Sequence, residues 1–198
     1  MRLHDAKRDL YRRLAKEQGY ASRAAFKLIE ANRKYKFIEK GGKVVDFGAA
    51  PGGWLQVASE LVGPSGRVVG LDLDRVRVKE KNSEFLKLDV NDPSVSEKVL
   101  GALGGQADVV LSDLAPSVSG VWELDQARQV DLTLRVLDVS RTVLRQGGSA
   151  FCKLFEGERS PEVRDELKTK FQTVRAFKPA ASRSASSELY YYCGGWRG

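Results

Sequence analysis

Residues 44–54 read Val-Val-Asp-Phe-Gly-Ala-Ala-Pro-Gly-Gly-Trp, and this stretch decides the fold. Its first four residues suit a buried strand, a loop of glycine, alanine and proline follows, and a helix-length segment covers residues 53–62. Small residues let a ligand approach the backbone closely, and the first turn of the helix presents free N–H groups to that ligand. The stretch therefore predicts a nucleotide-type binding turn.

Acidic residues follow the strand candidates next along the chain. The turn lacks the G-x-G-x-x-G spacing, which argues against a nicotinamide or flavin cofactor. Asp72 ends the next strand candidate nineteen residues after Gly53, close to the roughly twenty expected for an acid that accepts hydrogen bonds from a ribose diol. Asp89 ends a third candidate, where it suits an adenine edge. With Asp46 and Asp113, four acids lie at the carboxyl ends of strands, which favours a ligand site over isolated loop residues.

Outward from the turn, apolar runs alternate with helix-length segments. The strand candidates are residues 44–47, 68–71, 85–88, 109–111 and 150–154, and the helix candidates between and after them are 53–62, 94–103, 123–145 and 160–170. This alternation is typical of a doubly wound α/β fold with a mostly parallel sheet. Residues 174–177 and 189–193 are two more strand candidates without a helix between them, so we expect seven strands and a closing antiparallel hairpin. Two helices, 6–18 and 22–36, precede the first strand.

Length and composition predict one soluble domain. The chain has 198 residues, with 42% hydrophobic and 30% charged residues, which suits a single domain spanning 1–198. It contains no apolar run of membrane-spanning or signal-peptide length, so we expect a cytoplasmic protein. Cys152 and Cys193 lie in short apolar runs and are expected to be buried, reduced thiols. Neither they nor the single His4 can build a metal site.

The positive charge is concentrated near the amino terminus. The net charge is +7, and residues 1–43 hold thirteen basic and five acidic residues, or +8, which leaves −1 for the remainder. A localised basic segment on a neutral body is typical of a polyanion-binding face, and the alternative is a merely solvated helical face. We expect this helical segment to contribute to nucleic-acid binding. The candidate residues for nucleic-acid binding, including one from the loop 179–187, are Arg8, Arg12, Arg13, Lys16, Arg23, Arg33, Lys34 and Arg183.

Several segments together resemble the FtsJ-type RNA ribose 2′-O-methyltransferases. They are DFGAAPGGW at 46–54, SDLAP at 112–116, KLFEG at 153–157, and the stretch 178–188 with Lys-Pro at its start, Ser-Arg at 182–183 and Glu at its end. The similarity begins with SRAAFK at 22–27 and covers nearly the whole chain. Phe47 and Leu114 replace other aliphatic residues, and Ser117 stands where an asparagine is common, which affects details of substrate contact.

The resemblance implies a Rossmann-like methyltransferase fold with S-adenosylmethionine as cofactor. The residues that it places in the cofactor pocket are Gly52, Trp54, Asp72, Asp89 and Asp113. Asp46, Gly48 and Gly53 of the binding turn complete the predicted cofactor site. The resemblance also implies a catalytic tetrad of Lys27, Asp113, Lys153 and Glu188.

The residue types agree with this tetrad in part. Lys153 lies in the apolar run 150–155, where a lysine is costly unless it is paired or neutral, and Glu188 leads into an apolar strand. Lys27 alone would be interpreted as a solvated helix lysine. The reaction requires a ribose hydroxyl to lose its proton during attack. Lys153 is the candidate proton acceptor, and in the alternative Lys153 orients the hydroxyl as an ammonium while Asp113 takes the proton.

Three functional interpretations remain open. The first is 2′-O-methylation of RNA by a monomer, with a uridine of large-subunit (23S-type) ribosomal RNA preferred over the tRNA anticodon loop. The second is a small-molecule methyltransferase, which has no need for a basic segment before the first strand. The third is a non-catalytic RNA-binding or ribosome-assembly factor, which the intact tetrad disfavours.

Overall fold

The computed structural model describes the backbone of residues 3–182 and 186–198, and the side chains of those ranges from residue 10 onward. The helices are α1 (Leu3–Glu17), α2 (Ala25–Tyr35), α3 (Gly53–Val62), α4 (Val95–Leu103), α5 (Trp122–Val143) and α6 (Ser160–Lys170). The strands are β1 (Lys43–Phe47), β2 (Arg67–Asp72), β3 (Ser83–Lys87), β4 (Ala107–Ser112), β5 (Leu144–Phe155), β6 (Phe171–Phe177) and β7 (Glu188–Trp196).

The strands form one seven-stranded sheet in the order β3-β2-β1-β4-β5-β7-β6. Strands β1 to β5 pair in parallel, whereas β7 lies antiparallel between β5 and β6. The predicted mostly parallel, seven-stranded sheet with a closing hairpin is thus confirmed. The chain reverses its winding between β1 and β4, and in such sheets ligands bind at the carboxyl ends of the strands on either side of that reversal.

Helices cover both faces of the sheet. Helices α4, α5 and α6 pack against one face, where Val99, Val136 and Leu167 are fully or almost fully buried. Helices α2 and α3 cover the other face with Leu28 and Val57. No helix in the described ranges is long and apolar enough to cross a membrane. Both cysteines are buried free thiols, as predicted.

Two element boundaries differ from the prediction in ways that affect the site. The second helix begins at Ala25 and not at Ser22, because residues 22–24 form a separate turn closed by a hydrogen bond from Ala25 N to Ser22 O of 3.2 Å. Strand β3 ends at Lys87, so Asp89 lies in the loop beyond the strand.

Candidate active site

A cavity of about 440 Å³ opens at the carboxyl ends of β1, β2 and β4 and beside the loop after β3. Gly48, Asp72, Asp89 and Asp113 line it, so four of the predicted ligand-binding residues converge there. The segment 114–117, which follows β4, forms another wall. The acids converge because the strands are parallel and their carboxyl ends meet at one edge of the sheet.

The turn after β1 needs glycine at Gly48. Its φ is +83°, and a Cβ at this position would lie 2.8 Å from the backbone N of Leu114. The N–H groups of Gly48 and Ala49 both donate to Leu71 O, at 2.9 and 3.0 Å. The turn is therefore held against β2 on one side and against the start of the 114–117 wall on the other.

Asp72 and Asp89 hold the loops that surround the cavity. The carboxylate of Asp72 accepts hydrogen bonds from Ala50 N and Asp74 N, each at 2.9 Å. The carboxylate of Asp89 accepts one from Asn91 N at 2.9 Å. Each carboxylate has further acceptor capacity, because an ionised carboxylate offers about four lone-pair sites.

Asp46 lies in β1 and is fully buried, and neither of its carboxyl oxygens has a hydrogen-bond partner within the described part of the chain. Burial raises the pKa of Asp46 well above its usual range, and the charges of Asp113 and Asp72 add to this effect. A buried carboxyl without a partner is costly. Asp46 is not among the residues that line the cavity, so its place in the cofactor site stays a prediction.

Gly52, Gly53 and Trp54 are not among the residues that line the cavity, so their place in the cofactor site stays a prediction. The Trp54 indole is buried against Phe151, with ring centroids 5.5 Å apart, and its Nε1–H donates to Ala24 O at 2.8 Å. A Cβ on Gly53 would lie 2.5 Å from Ser22 Oγ, so this glycine serves close packing of α3 on the turn before α2. These residues can face a ligand only through backbone N–H groups, which lack intrahelical partners at a helix start.

The four tetrad residues come together beside the cavity. Lys153 lies 3.2 Å from the Asp113 carboxylate and donates to the Asp113 backbone carbonyl at 2.6 Å. Lys27 donates to the Glu188 carboxylate at 2.7 Å. Both lysines are only 6% exposed. An unpaired charge would be very costly at such a position, and each lysine is paired with a carboxylate.

Tyr190 joins the two ion pairs, and the sequence analysis did not include it. Its hydroxyl donates to Asp113 Oδ1 at 2.7 Å and accepts a hydrogen bond from Lys27 at 2.9 Å. Two features place Tyr190 with the tetrad, one in the sequence and one in the sheet register. Glu188 and Tyr190 are two residues apart on one strand and so share a face, and Tyr190 is the register partner of Lys153 across β5 and β7.

The electrostatics of the cluster keep Asp113 ionised and Tyr190 protonated. Burial alone would raise the pKa of Asp113, but the positive charges of Lys153 and Lys27 and the Tyr190 hydrogen bond outweigh it, so this pKa lies below its ordinary value. Burial raises the pKa of Tyr190 well above its usual range, and the charges of Asp113 and Glu188 reinforce that shift. Tyr190 therefore remains a hydrogen-bond donor to a carboxylate.

The loop between β6 and β7 positions Glu188. Ser182 is buried and donates to Glu188 Oε1 at 2.8 Å. Arg23 donates to Ala181 O at 3.3 Å, and Ala180 N donates to Glu30 at 2.8 Å. These contacts tie the loop to α2 and to the turn before it, so Arg23 helps to hold the loop that positions Glu188, and its contact with RNA stays a prediction.

The remaining RNA-binding candidates lie on the helices before the sheet. Arg12, Arg13 and Lys16 are exposed on α1, which packs on α2 through Tyr11 and Phe26, with ring centroids 5.5 Å apart. Arg33 and Lys34 are exposed near the end of α2. The side chain of Arg8 and the whole of Arg183 lie outside the described residues.

Fold and site together define a Rossmann-like methyltransferase. The FtsJ-like methyltransferase family model matches residues 20–196, and the chain belongs to that family. Ribosomal RNA large subunit methyltransferase E from Methanothermobacter thermautotrophicus is 46% identical over 187 residues, which cover 94% of this chain and 89% of that protein. The protein of the same name from Nitrosopumilus maritimus is 44% identical over the full length of both chains.

Solved structures agree with this assignment. A ribosomal RNA methyltransferase from Plasmodium falciparum superposes with a TM-score of 0.79 and 29% identity, covering 90% of this chain and 100% of that one. The Methanococcus jannaschii fibrillarin pre-rRNA processing protein has a TM-score of 0.59 and 15% identity, covers 82% of this chain and 69% of that one, and shares the fold.

The cofactor of this enzyme class is S-adenosylmethionine, and the residues present suit it. Gly48 lines the cavity without a side chain, and the buried Asp46 carboxyl has no partner among the described residues. Asp72 and Asp89 supply acceptors at the rim of the cavity.

Proposed function

We propose that this enzyme methylates the 2′-oxygen of a ribose in large-subunit ribosomal RNA, with a uridine as the expected nucleotide. The observation that carries the proposal is the buried cluster at the cavity edge, where Lys153 and Asp113 lie 3.2 Å apart and Tyr190 connects them to Lys27. The relatives from Methanothermobacter and Nitrosopumilus are named as methyltransferases of large-subunit ribosomal RNA, which supports the choice of substrate.

In this proposal the chain aligns the hydroxyl and removes its proton. Bound S-adenosylmethionine supplies an electrophilic methyl group on a sulfonium, and alignment of the reacting atoms can supply much of the acceleration. Lys153 is the proposed proton acceptor, and it acts as the neutral amine, after its ammonium group has released a proton to solvent. Asp113 suits this role less well, because a carboxylate with a lowered pKa is a weak base and Tyr190 already donates to its Oδ1. Lys27 and Glu188 form the neighbouring charge pair that fixes Tyr190.

The basic segment is proposed to hold the RNA. Residues 1–43 carry the +8 charge and belong, in this proposal, to a single domain that spans residues 1–198. Lysine and arginine side chains on α1 and α2 would contact phosphates, while the cavity edge receives one ribose. In this proposal the enzyme also acts as a monomer in the cytoplasm.

The test is transfer of a labelled methyl group to purified large subunits, free ribosomal RNA and bulk tRNA, with mapping of the modified ribose. We expect a 2′-O-methyl group in large-subunit RNA. Label confined to tRNA would replace this substrate with the anticodon loop, and the absence of labelled RNA in all three samples would refute RNA methylation.

A further inference from the structure

Exposed apolar side chains concentrate in one short segment beside the catalytic cluster. Among the described residues, six large apolar side chains are exposed, and only Leu10 and Leu73 lie elsewhere. The other four lie within seven residues: Val118, Val121, Trp122 and Leu124. Exposed apolar side chains that lie close together on a surface mark candidate binding sites.

Trp122 is the anchor of this segment and is held in place. Its indole stacks on Phe155, with ring centroids 6.0 Å apart and planes 29° apart, and still leaves 45% of the residue exposed. The loop before α5 is fixed by Asp125, whose carboxylate accepts hydrogen bonds from Ser119 N at 2.8 Å and Ser119 Oγ at 2.7 Å. The ring is therefore presented to solvent on a rigid support.

The position of Trp122 relates it to the reacting ribose. Phe155 lies two residues beyond Lys153 on β5, and the Lys153 ammonium is 5.9 Å from the Phe155 ring centroid. Phe155 thus contacts both Trp122 and the ammonium of Lys153, the proposed proton acceptor. The same loop begins with residues 114–117, which line the cofactor cavity. A nucleotide whose ribose meets Lys153 has its own base, or a neighbouring base, within reach of this ring.

Resting on the ribose methylation proposed above, we propose that Trp122, supported by Phe155, is a stacking platform for a nucleobase of the RNA substrate. A nucleobase offers a flat π-face, and stacking on aromatic side chains is a common way for proteins to hold unpaired bases. A protein partner fits less well, because a stable protein interface uses roughly 20–30 residues a side and only four exposed apolar residues are present here.

The chain provides its own spectroscopic probe. Of the three tryptophans, Trp54 and Trp196 are each 2% exposed, so a change in emission on RNA binding reports on Trp122. The ligands are a short oligouridylate and a ribose-phosphate oligomer of the same length without bases. We expect the oligouridylate to change the emission and to bind more tightly than the abasic oligomer, and we expect Trp122→Phe to abolish the emission change.

Matched variants separate stacking from apolar contact. Trp122→Leu keeps a large apolar side chain without a π-face, and Trp122→Phe keeps the π-face. We expect Trp122→Leu to weaken oligouridylate binding about tenfold and Trp122→Phe to lose much less. Because stacking releases no counterions, the salt dependence of binding should be the same in all three proteins. Binding of S-adenosylhomocysteine serves as the check on folding.

Two results would overturn this inference in distinguishable ways. If wild-type enzyme methylates ribosomal RNA but Trp122→Leu binds oligouridylate as tightly as wild type, Trp122 does not stack on a base and the apolar segment meets another partner. If wild-type enzyme neither binds nor methylates RNA, the proposed function fails and this inference fails with it.

Discussion

Asp72 tests the cofactor site at the scale of one residue. Its carboxylate holds Ala50 N and Asp74 N and has acceptor capacity left for a ribose diol. We expect Asp72→Ala to weaken binding of S-adenosylhomocysteine by about 1 to 3 kcal/mol, the cost of leaving buried polar groups unpaired. Isothermal titration calorimetry measures this. Asp131→Ala removes an exposed carboxylate paired with Arg159 and should bind normally, whereas equal affinity in both variants would contradict the assignment.

Lys153 tests the proposed proton transfer. Lys153→Ala should lower turnover by about 10² or more, the usual scale for a lost acid or base, while cofactor affinity stays within a few-fold. Lys153→Arg should not restore turnover, because a guanidinium stays protonated. Single-turnover methylation assays give the comparison. Near-normal turnover in Lys153→Arg would show that a fixed positive charge suffices, and Asp113 would then be the proton acceptor.

Asp46 predicts a dependence of stability on pH. Because burial raises the pKa of Asp46 well above its ordinary value, the unfolded chain releases this proton at lower pH than the folded protein does. The corresponding contribution to stability is complete below the unfolded pKa, near pH 4, and decreases as pH rises towards the folded pKa. Asp46→Asn removes the titration.

The measurement is the melting temperature of cofactor-free protein between about pH 4 and pH 8. The difference between Asp46→Asn and wild type should shift in favour of the variant as pH rises, because only wild type loses this contribution. Gly101→Ala alters no titratable group, so it is the control and should show no such trend. A constant difference for Asp46→Asn across the range would mean that Asp46 has an ordinary pKa.

At the scale of elements, the turn between β1 and α3 depends on Gly48. Alanine there would have a strained positive φ and a Cβ 2.8 Å from the Leu114 backbone. We expect Gly48→Ala to lower the free energy of unfolding by at least about 1 kcal/mol and to weaken cofactor binding. Gly101 is the matched control, because it lies in α4 with open space around its Cβ position.

Gly101→Ala should raise the free energy of unfolding by roughly 0.5–1 kcal/mol, since alanine favours a helix interior over glycine. Denaturant titration of both variants tests the pair. Equal effects of the two substitutions would show that the close approach of the turn to Leu114 does not limit the residue at position 48.

At the scale of the whole molecule, the uneven charge predicts how RNA binding responds to salt. The excess of positive charge lies in residues 1–43, and each phosphate contact contributes about 0.7 to the slope of log affinity against log salt on single strands. Changing Arg8, Arg12, Arg13 and Lys16 together to Gln should weaken RNA binding and reduce that slope by at least one contact. The spacing of the four residues puts them on more than one face of the helix, so we expect only some of them to contact RNA.

The control removes the same kind of charge from the body of the protein. Lys98, Arg141 and Lys168 are exposed and lie beside acidic residues, and their replacement by Gln should leave the slope unchanged. Cofactor binding should be unchanged in both variants. If the two variants gave the same slope as wild type, α1 would be only a solvated helix, and Arg23, Arg33, Lys34 and Arg183 would remain as candidate RNA contacts.

Much of the architecture could be predicted because its signals are local. The strand beginning at residue 44, the small-residue turn and the helix from residue 53 all follow from neighbouring residues, and the other apolar runs alternate with helices at ordinary spacings. Asp72, Asp89 and Asp113 could be placed at one edge because parallel strands bring their carboxyl ends together. The tetrad could be predicted only with the family resemblance, because Lys27 by itself looks like an ordinary solvated helix lysine.

Only the tertiary structure decided which atoms meet. Lys27 and Glu188 are 161 residues apart, so no local pattern predicts their ion pair. Trp54 directs its indole into the core against Phe151, and Asp46 has no partner among the described residues. Both depend on segments distant in sequence. The sequence by itself determined the order of strands and helices along the chain and the residue types at the carboxyl ends of the strands, since periodicity and strand direction are local. The pairing of charges was decided by side-chain packing between β5, β7 and α2, which exists only in the folded chain.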